Sequence, residues 1–206
     1  MEKISIPYIL KNIWFRPSKV LKLLIASKNR DNVYVLLFLG GIAYSFYKAI
    51  NRGELGFSSI YHMVIFRGIL GGLLGWLVFY IFTSLLSFTG EWIGGKAEGG
   101  QYRTVLAWSM IPAITGLFLF IPGYMIFGND LFSNTQEVYQ FDDVSFYIGF
   151  KILYFILNLW SVIIFIKGIK IIQNFSTLRA VGNLFLPSLA LVAVFLILLF
   201  IFNLIN

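Results

Sequence analysis

Long uncharged blocks alternate with short charged ones along the chain. No charged residue occurs from Gly68 to Gly90, from Thr104 to Asn129, or from Ala180 to the C-terminus. Apolar stretches of about 18 residues or more are typical of helices that cross a membrane. The pattern therefore predicts an integral membrane protein rather than a soluble fold.

Five membrane-spanning helices are predicted, each long enough to cross a hydrocarbon core of about 30 Å. Their predicted bounds are 33–50, 63–88, 104–127, 144–166 and 180–202. The connections have 12 to 16 residues, so consecutive helices are expected to be antiparallel neighbours. The predicted fold class is an all-α integral membrane protein, a bundle of five transmembrane helices preceded by an interfacial amphipathic helix.

The amphipathic helix belongs to the segment before the first span. Ser18 is predicted to cap a helix from Lys19 to about Lys28. Its apolar residues share one broad face: Val20, Leu21, Leu24 and Ile25. Such a helix either anchors the N-terminus in the headgroup layer or offers a docking surface to a partner. The chain is therefore divided into a cytoplasmic N-terminal segment, 1–30, and a five-span membrane domain, 31–206.

Basic residues are distributed unequally between the two sides of the predicted bundle. Twelve lie in the N-terminal segment and in the second and fourth connections, whereas the first and third connections contain two, Lys48 and Arg52. The third connection is instead acidic, with Asp130, Glu137, Asp142 and Asp143. Because cytoplasmic loops are enriched in Lys and Arg, the N-terminus is predicted to be cytoplasmic and the C-terminus to lie outside.

Composition excludes several functional classes. The 206 residues are 59% hydrophobic and only 12% charged, whereas soluble domains are about 25% charged, so soluble enzymes and nucleic-acid modules are excluded. The net charge of +7 indicates membrane orientation and anionic lipid as a partner, with no nucleic acid. The chain has no cysteine and one histidine, His62, and it contains no catalytic motif. We therefore expect a protein that is not an enzyme and needs no cofactor or metal.

Two cations occur inside predicted spans, Arg67 and Lys151. A charge within the membrane costs about 2.5–3.5 kcal/mol on insertion scales, so such residues usually pair or face water. Both are predicted toward the outer side. They either reach the interface and pair with Glu54, Asp142 or Asp143, or they form a cationic vestibule for an anionic ligand or lipid headgroup.

Other polar and small residues within the spans predict helix packing. Asn158 is expected to form an interhelical hydrogen bond. Small residues form one face of the second span, and they pack either within the monomer or between copies: Gly68, Gly71, Gly72 and Gly75. Prolines are predicted to kink the third span and perturb the fifth: Pro112, Pro122 and Pro187. Aromatic residues near span ends predict an interfacial belt: Trp14, Trp92, Tyr102, Trp108, Tyr139 and Tyr147.

The second connection is rich in glycine. Its spacing does not fit the GxxxxGKS/T phosphate loop, which also requires a strand before it. The connection is therefore either a flexible cytoplasmic turn or a recognition surface. The candidate recognition residues are Gly94, Gly95, Lys96, Gly99, Gly100 and Arg103.

Three stretches of the chain combine short motifs in one order. The first is the aromatic-Pro entry at 14–17. The second is the glycine-rich loop at 94–106, which continues into the Pro-bearing segment 108–112. The third consists of Leu-Trp at 159–160 and Leu-Arg-Ala at 178–180. With these motifs the chain resembles the bacterial branch of the Yip (Ypt/Rab-interacting protein) family, and the resemblance covers nearly the whole chain.

The resemblance implies a non-enzymatic five-span membrane protein. Eukaryotic relatives bind Rab-type GTPases, but the chain lacks their Asp-Leu-Tyr-Gly-Pro signature around Asp31–Tyr34, so Rab binding is not expected. We expect an accessory or scaffold protein of the bacterial cytoplasmic membrane that binds other membrane proteins, such as a transporter complex, or itself. The alternative is a small transporter, channel or lipid-handling protein with a polar cavity near Arg67 and Lys151.

Overall fold

The computed structural model describes residues 5–27, 32–52, 60–132 and 144–205, and these ranges are helical without any strand. Two short helices come first, α1 (Ile6–Asn12) and α2 (Pro17–Ala26). The other α-helices follow in chain order: α3 (Val33–Arg52), α4 (Ile60–Trp92), α5 (Gly99–Ser109), α6 (Ile111–Phe127), α7 (Val144–Gln173) and α8 (Thr177–Ile205). A 3₁₀ helix, Gly128–Phe132, directly extends α6.

Five segments are long and apolar enough to cross a membrane: Val33–Asn51, Val64–Trp92, Gly99–Phe132, Val144–Gln173 and Thr177–Phe200. They confirm the predicted all-α fold with five spans. The helix that contains the fourth span continues beyond the predicted end at 166, because α7 runs through two lysines to Gln173. A lysine can remain helical at a membrane border, since its long side chain reaches polar surroundings. Only residues 174–176 therefore separate α7 from α8, fewer than the predicted 12 to 16.

The third span is interrupted close to Pro112, where a kink was predicted. Met110 separates α5 from α6, and Pro112 lies in the first turn of α6. Proline has no N–H, and its ring clashes with the carbonyl four residues earlier, so α5 cannot continue through it. The amide of Ala113, in the first turn of α6, donates to Ser161 Oγ of α7 at 3.0 Å. Two further prolines remain inside α6 and α8, Pro122 and Pro187.

The centre of the bundle is α5. Eight of its 11 residues are buried, and it packs against α2, α3, α4 and α7. Three aromatic residues predicted at the membrane interface lie in the core instead, since Tyr102, Trp108 and Tyr147 are 0%, 3% and 0% exposed. The prediction is wrong for these three because a large amphipathic ring can be covered by neighbouring helices as well as by headgroups.

The predicted amphipathic helix is present as α2, and its apolar face packs against the bundle. Val20, Leu21 and Leu24 are at most 1% exposed, and α2 contacts α5 and α7. Leu21 of α2 and Val105 of α5 both close over Gly168 of α7. The protein rather than the lipid therefore covers the face that sequence reasoning assigned to the headgroup layer or to a partner.

The start of α2 also differs from the prediction. Pro17, rather than Lys19, is the first helical residue, and no side chain caps the helix. Proline is favoured at this position, where a missing N–H loses no helical hydrogen bond. Ser18 is therefore inside the first turn and does not cap the helix.

Candidate functional site

The glycine-rich loop between α4 and α5 is a closely held turn. Gly94 has a φ of +85°, a left-handed conformation that favours glycine. Gly95 is buried, and a Cβ at this position would collide with the side chain of Gln173. A capping box starts α5, in which the Glu98 and Gln101 side chains each accept a backbone N–H of the other residue. Two glycines and one cap thus specify the conformation of the loop.

Gln173, in the last turn of α7, joins this loop to α5. Its Oε1 accepts hydrogen bonds from the amides of Lys96 and Ala97 at 2.6 and 2.9 Å. Its Nε2 donates to the Tyr102 hydroxyl at 2.7 Å. One side chain therefore pairs two loop amides and one buried hydroxyl.

The network continues from Tyr102 to α8 and α4. The Tyr102 hydroxyl donates to Asn183 Oδ1 at 2.5 Å, and Asn183 Nδ2 donates to the carbonyl of Leu86 at 3.1 Å. Tyr102, Gln173 and Asn183 are 0%, 7% and 0% exposed. We call these three residues the polar junction, because they connect four helices and the loop through buried hydrogen bonds.

Sequence reasoning missed the polar junction. Gln173 lies in a predicted loop and Asn183 near the start of a predicted span, and isolated amides of this kind are also common at exposed helix ends. One feature of the sequence could have indicated Gln173 and Asn183. They lie on the two sides of the short turn between α7 and α8. Amides near span ends can bond between helices as Asn158 was expected to do.

The six loop residues predicted for recognition have different surroundings. Gly95 and Gly100 are buried. Arg103 is fixed against α4, with its Cζ 4.1 Å from the centre of the Tyr80 ring, a cation–π arrangement. Gly94 and Lys96 are exposed, and Gly99 and Arg103 are half-buried. Only part of the loop is therefore accessible to a partner.

Three of the four glycines predicted as a packing face of the second span pack within the chain, against α3. The partners of Gly71, Gly72 and Gly75 are Ser45, Phe38 and Gly41 respectively. The closest approach joins Gly75 to Gly41, where a Cβ on either residue would meet the backbone of the other. Gly68 differs from them, because nothing lies within 4 Å of where its Cβ would be. The sequence left open whether this face packs within the monomer or between copies, and three glycines pack within it.

A groove of about 480 Å³ lies between α3 and α4, beside this contact. Its walls are mainly apolar, and two cations line it, Lys48 of α3 and Arg67 of α4. Arg67 Nη1 donates to the carbonyl of Ser45 at 3.4 Å. Apolar walls with two cations suit the headgroup and upper chains of an anionic lipid.

Lys151 does not belong to this groove. It lies on α7, with its Nζ 4.6 Å from the centre of the Tyr147 ring one turn earlier. Since α4 and α7 share no substantial packing, the structure does not bring Lys151 and Arg67 together. The expected partners Glu54, Asp142 and Asp143 lie outside the described residues.

Asn158 forms a hydrogen bond different from the predicted one. Its Nδ2 donates to the carbonyl of Tyr154 in its own helix at 2.9 Å, rather than to another helix. The carbonyl is four residues earlier and therefore within easy reach of the side chain. Asn158 also lines a mainly apolar cleft of about 320 Å³ with Ser109 and Ser161.

The described residues offer binding groups rather than a metal centre. Within those ranges no three His, Cys, Asp or Glu side chains are placed to hold a metal ion. His62 is exposed. The chemistry that these sites provide is hydrogen bonding between helices and attraction of anions by lysine and arginine.

The chain combines an N-terminal helix, five apolar spans and a glycine-rich turn before a proline-interrupted third span. The Yip1 domain matches residues 11–200 of the chain. The chain belongs to the Yip1 domain family. The matched range includes α2 and all five spans, so the Yip1 domain covers nearly all of this chain. No curated protein and no solved structure matches the chain significantly.

Membership of the Yip1 family confirms the resemblance found in the sequence. Together with the five apolar helices, it makes this Yip1-domain protein a multi-pass membrane protein. The Yip1 family is not a known enzyme family.

Proposed function

We propose that this Yip1-domain protein is a non-enzymatic accessory or scaffold protein that binds partner membrane proteins, such as a transporter complex. The observation that carries the proposal is the second half of α8. Every residue from Leu191 to Phe200 is exposed, whereas the first half packs against α4 and α7 through buried residues such as Ala180 and Asn183. A span that leaves its own bundle offers its surface to a helix of another protein.

Two surfaces that the sequence offered to a partner are already used within the chain. The small-residue face of α4 packs on α3, and the apolar face of α2 packs on α5 and α7. Helices associate in lipid through close packing and hydrogen bonds, because lipid chains are as apolar as leucine. Partner binding is therefore assigned to the second half of α8, where every residue from Leu191 to Phe200 is exposed.

Photo-crosslinking in the native membrane tests this assignment. A photoreactive residue is placed at Val194 or Leu198 of α8, and the control is placed at Ile152 of α7, which is similarly exposed, 53% against 54% and 59%. We expect one membrane protein to be captured from the α8 positions and only lipid from Ile152. Lipid alone at all three positions would overturn the proposal.

A second candidate function is that of a small transporter, channel or lipid-handling protein, and the groove between α3 and α4 favours the lipid form. The groove supports the expected cavity near Arg67, because Arg67 lines one wall and Lys48 lines the other. Lys151 does not line the groove. Movement of fluorescent phosphatidylglycerol across proteoliposomes tests this candidate. We expect Arg67→Gln to slow movement and Lys19→Gln, the control, to leave it unchanged. Movement no faster than in protein-free vesicles would exclude lipid transport.

The location and orientation are also proposals. The proposed location is the cytoplasmic membrane of a bacterium, with the N-terminal segment, 1–30, in the cytoplasm and the C-terminus outside. Twelve basic residues against two support this orientation. A C-terminal alkaline phosphatase fusion should be active and a C-terminal fluorescent-protein fusion dark. The reverse pattern would contradict this orientation. Neither a Rab-type GTPase nor a nucleic acid is among the proposed partners.

A further inference from the structure

A recess of about 450 Å³ lies between α2, α7 and the turn that leads to α8. The packing of Leu21 over Gly168 brings α2 beside α7. As a result, Lys22 of α2 lines the same recess as Lys167 and Lys170, which lie one turn apart on α7. Three lysines from two helices thus converge on one opening.

The turn after α7 holds one of these lysines in place. Asn174 has a φ of +54° and reverses the chain, and the amide of Phe175 donates to the carbonyl of Lys170 at 3.1 Å. Lys170 Nζ donates to Thr177 Oγ1 at 3.2 Å, in the first turn of α8. The ammonium group of Lys170 therefore lies beside Thr177 at the wall of the recess.

The recess has a strongly positive lining. None of the described residues that line it is acidic. Lys167 Nζ lies 5.8 Å from the centre of the Trp160 ring, so its charge is near an aromatic face instead of a carboxylate. Ammonium groups that share a site repel one another, and a bound anion removes that repulsion.

The position of the recess indicates which anion it binds. Two of the candidate spans meet here, one ending at Gln173 and the next beginning at Thr177, which is the level of lipid headgroups. Ile166 and Ile171 add apolar walls, and the hydroxyls of Ser18 and Thr177 add hydrogen-bonding groups. Basic pockets between helices at this level bind phospholipid headgroups. We propose that the recess formed by Lys22, Lys167 and Lys170 binds the phosphate headgroup of an anionic phospholipid.

Native mass spectrometry of the detergent-solubilised full chain tests this site by titration with phosphatidylglycerol. The variant K22Q/K167Q/K170Q removes the three lysines, and K11Q/R16Q/K19Q removes the same charge from exposed positions outside the recess. Each lysine near an anionic headgroup contributes roughly fivefold in affinity. We expect the apparent dissociation constant to rise about 100-fold in the first variant by that estimate and to remain nearly unchanged in the second.

Three further measurements use an arginine variant, phosphatidylcholine and inorganic phosphate. K22R/K167R/K170R keeps the charges, so retained binding would support the site and show that loss in the glutamine variant is not misfolding. Equal weakening in both glutamine variants, or equal binding of phosphatidylcholine, would overturn the proposal. Inorganic phosphate that binds with the same lysine dependence and displaces phosphatidylglycerol would assign the recess to a soluble phosphate group and overturn the lipid assignment.

Discussion

The polar junction and the groove between α3 and α4 both place polar groups among apolar helices, but they use them differently. In the junction, Tyr102, Gln173 and Asn183 bond to one another and to loop or helix backbone, and they are almost completely buried. In the groove, Lys48 and Arg67 line an open volume between apolar walls. One region uses its polar groups to join helices, and the other leaves them beside an open volume.

The charge of the side chains explains this difference. A neutral amide can be buried at little net cost once each of its groups is hydrogen-bonded. A cation loses far more solvation free energy on burial, so it remains where water, a headgroup or an anion can reach it. Neutral amides near span ends are therefore candidates for structural contacts, whereas cations inside spans are candidates for ligand contacts.

The largest effect on stability is expected from Gln173→Leu in the polar junction. The change leaves the buried amide of Ala97 and the part-buried amide of Lys96 without their acceptor, and an unpaired buried group costs about 1–3 kcal/mol. We expect a loss of about 2–6 kcal/mol in the free energy of unfolding, measured by denaturation in detergent. Asn203→Leu, at an exposed position, is the control and should change it by less than about 0.5 kcal/mol. Equal stability of the two variants would mean that the junction is not structural.

Tyr102→Phe should have the next largest effect. It removes only the hydroxyl that links Gln173 to Asn183 and keeps the aromatic packing. We expect a loss of about 1–3 kcal/mol in the same measurement. Since Tyr102 and Gln173 act in one network, the double variant should lose less than the sum of the single ones. Strict additivity would contradict the network.

In the second region, Gly75→Ala tests the contact that forms one side of the groove. A Cβ at Gly75 meets the backbone of Gly41, and overpacking costs about 1–3 kcal/mol, partly offset by about 1 kcal/mol of helix propensity. Gly68→Ala makes the same chemical change in the same helix where nothing lies within 4 Å. We expect a lower unfolding temperature for the first variant and an equal or higher one for the second. The opposite order would show that α3 and α4 do not meet through Gly75.

The smallest effect on stability is expected from Lys48→Gln in the groove. Surface substitutions away from packed contacts usually change stability by less than about 0.5 kcal/mol, so the unfolding temperature should remain the same. Binding of phosphatidylglycerol should nevertheless weaken if the groove holds a headgroup. If Lys48→Gln destabilised the protein as strongly as Tyr102→Phe, the distinction between the two regions would be lost.

Much of the fold could be predicted from the sequence because it depends on local composition. The five spans follow from uncharged apolar blocks, and the break before Pro112 follows from the geometry of proline. The amphipathic pattern of α2 was also visible, but the pattern does not say what covers its apolar face. Of the candidate site, Arg67 could be found as a cation within a span, whereas Lys48 could not, since it lies near a span end where lysine is ordinary.

The sequence by itself determined the helical class, the five spans and the family, because a bilayer requires long apolar helices that satisfy their own backbone. Only the tertiary structure decided which faces meet. Tyr102 and Asn183 are 81 residues apart in the chain, and no local pattern connects them. The sequence also left undecided whether Gly75 packs on Gly41 and what covers the apolar face of α2, for a further reason. Lipid chains and the protein interior are equally apolar, so the hydrophobic pattern that finds a span does not distinguish its lipid-facing side from its protein-facing side.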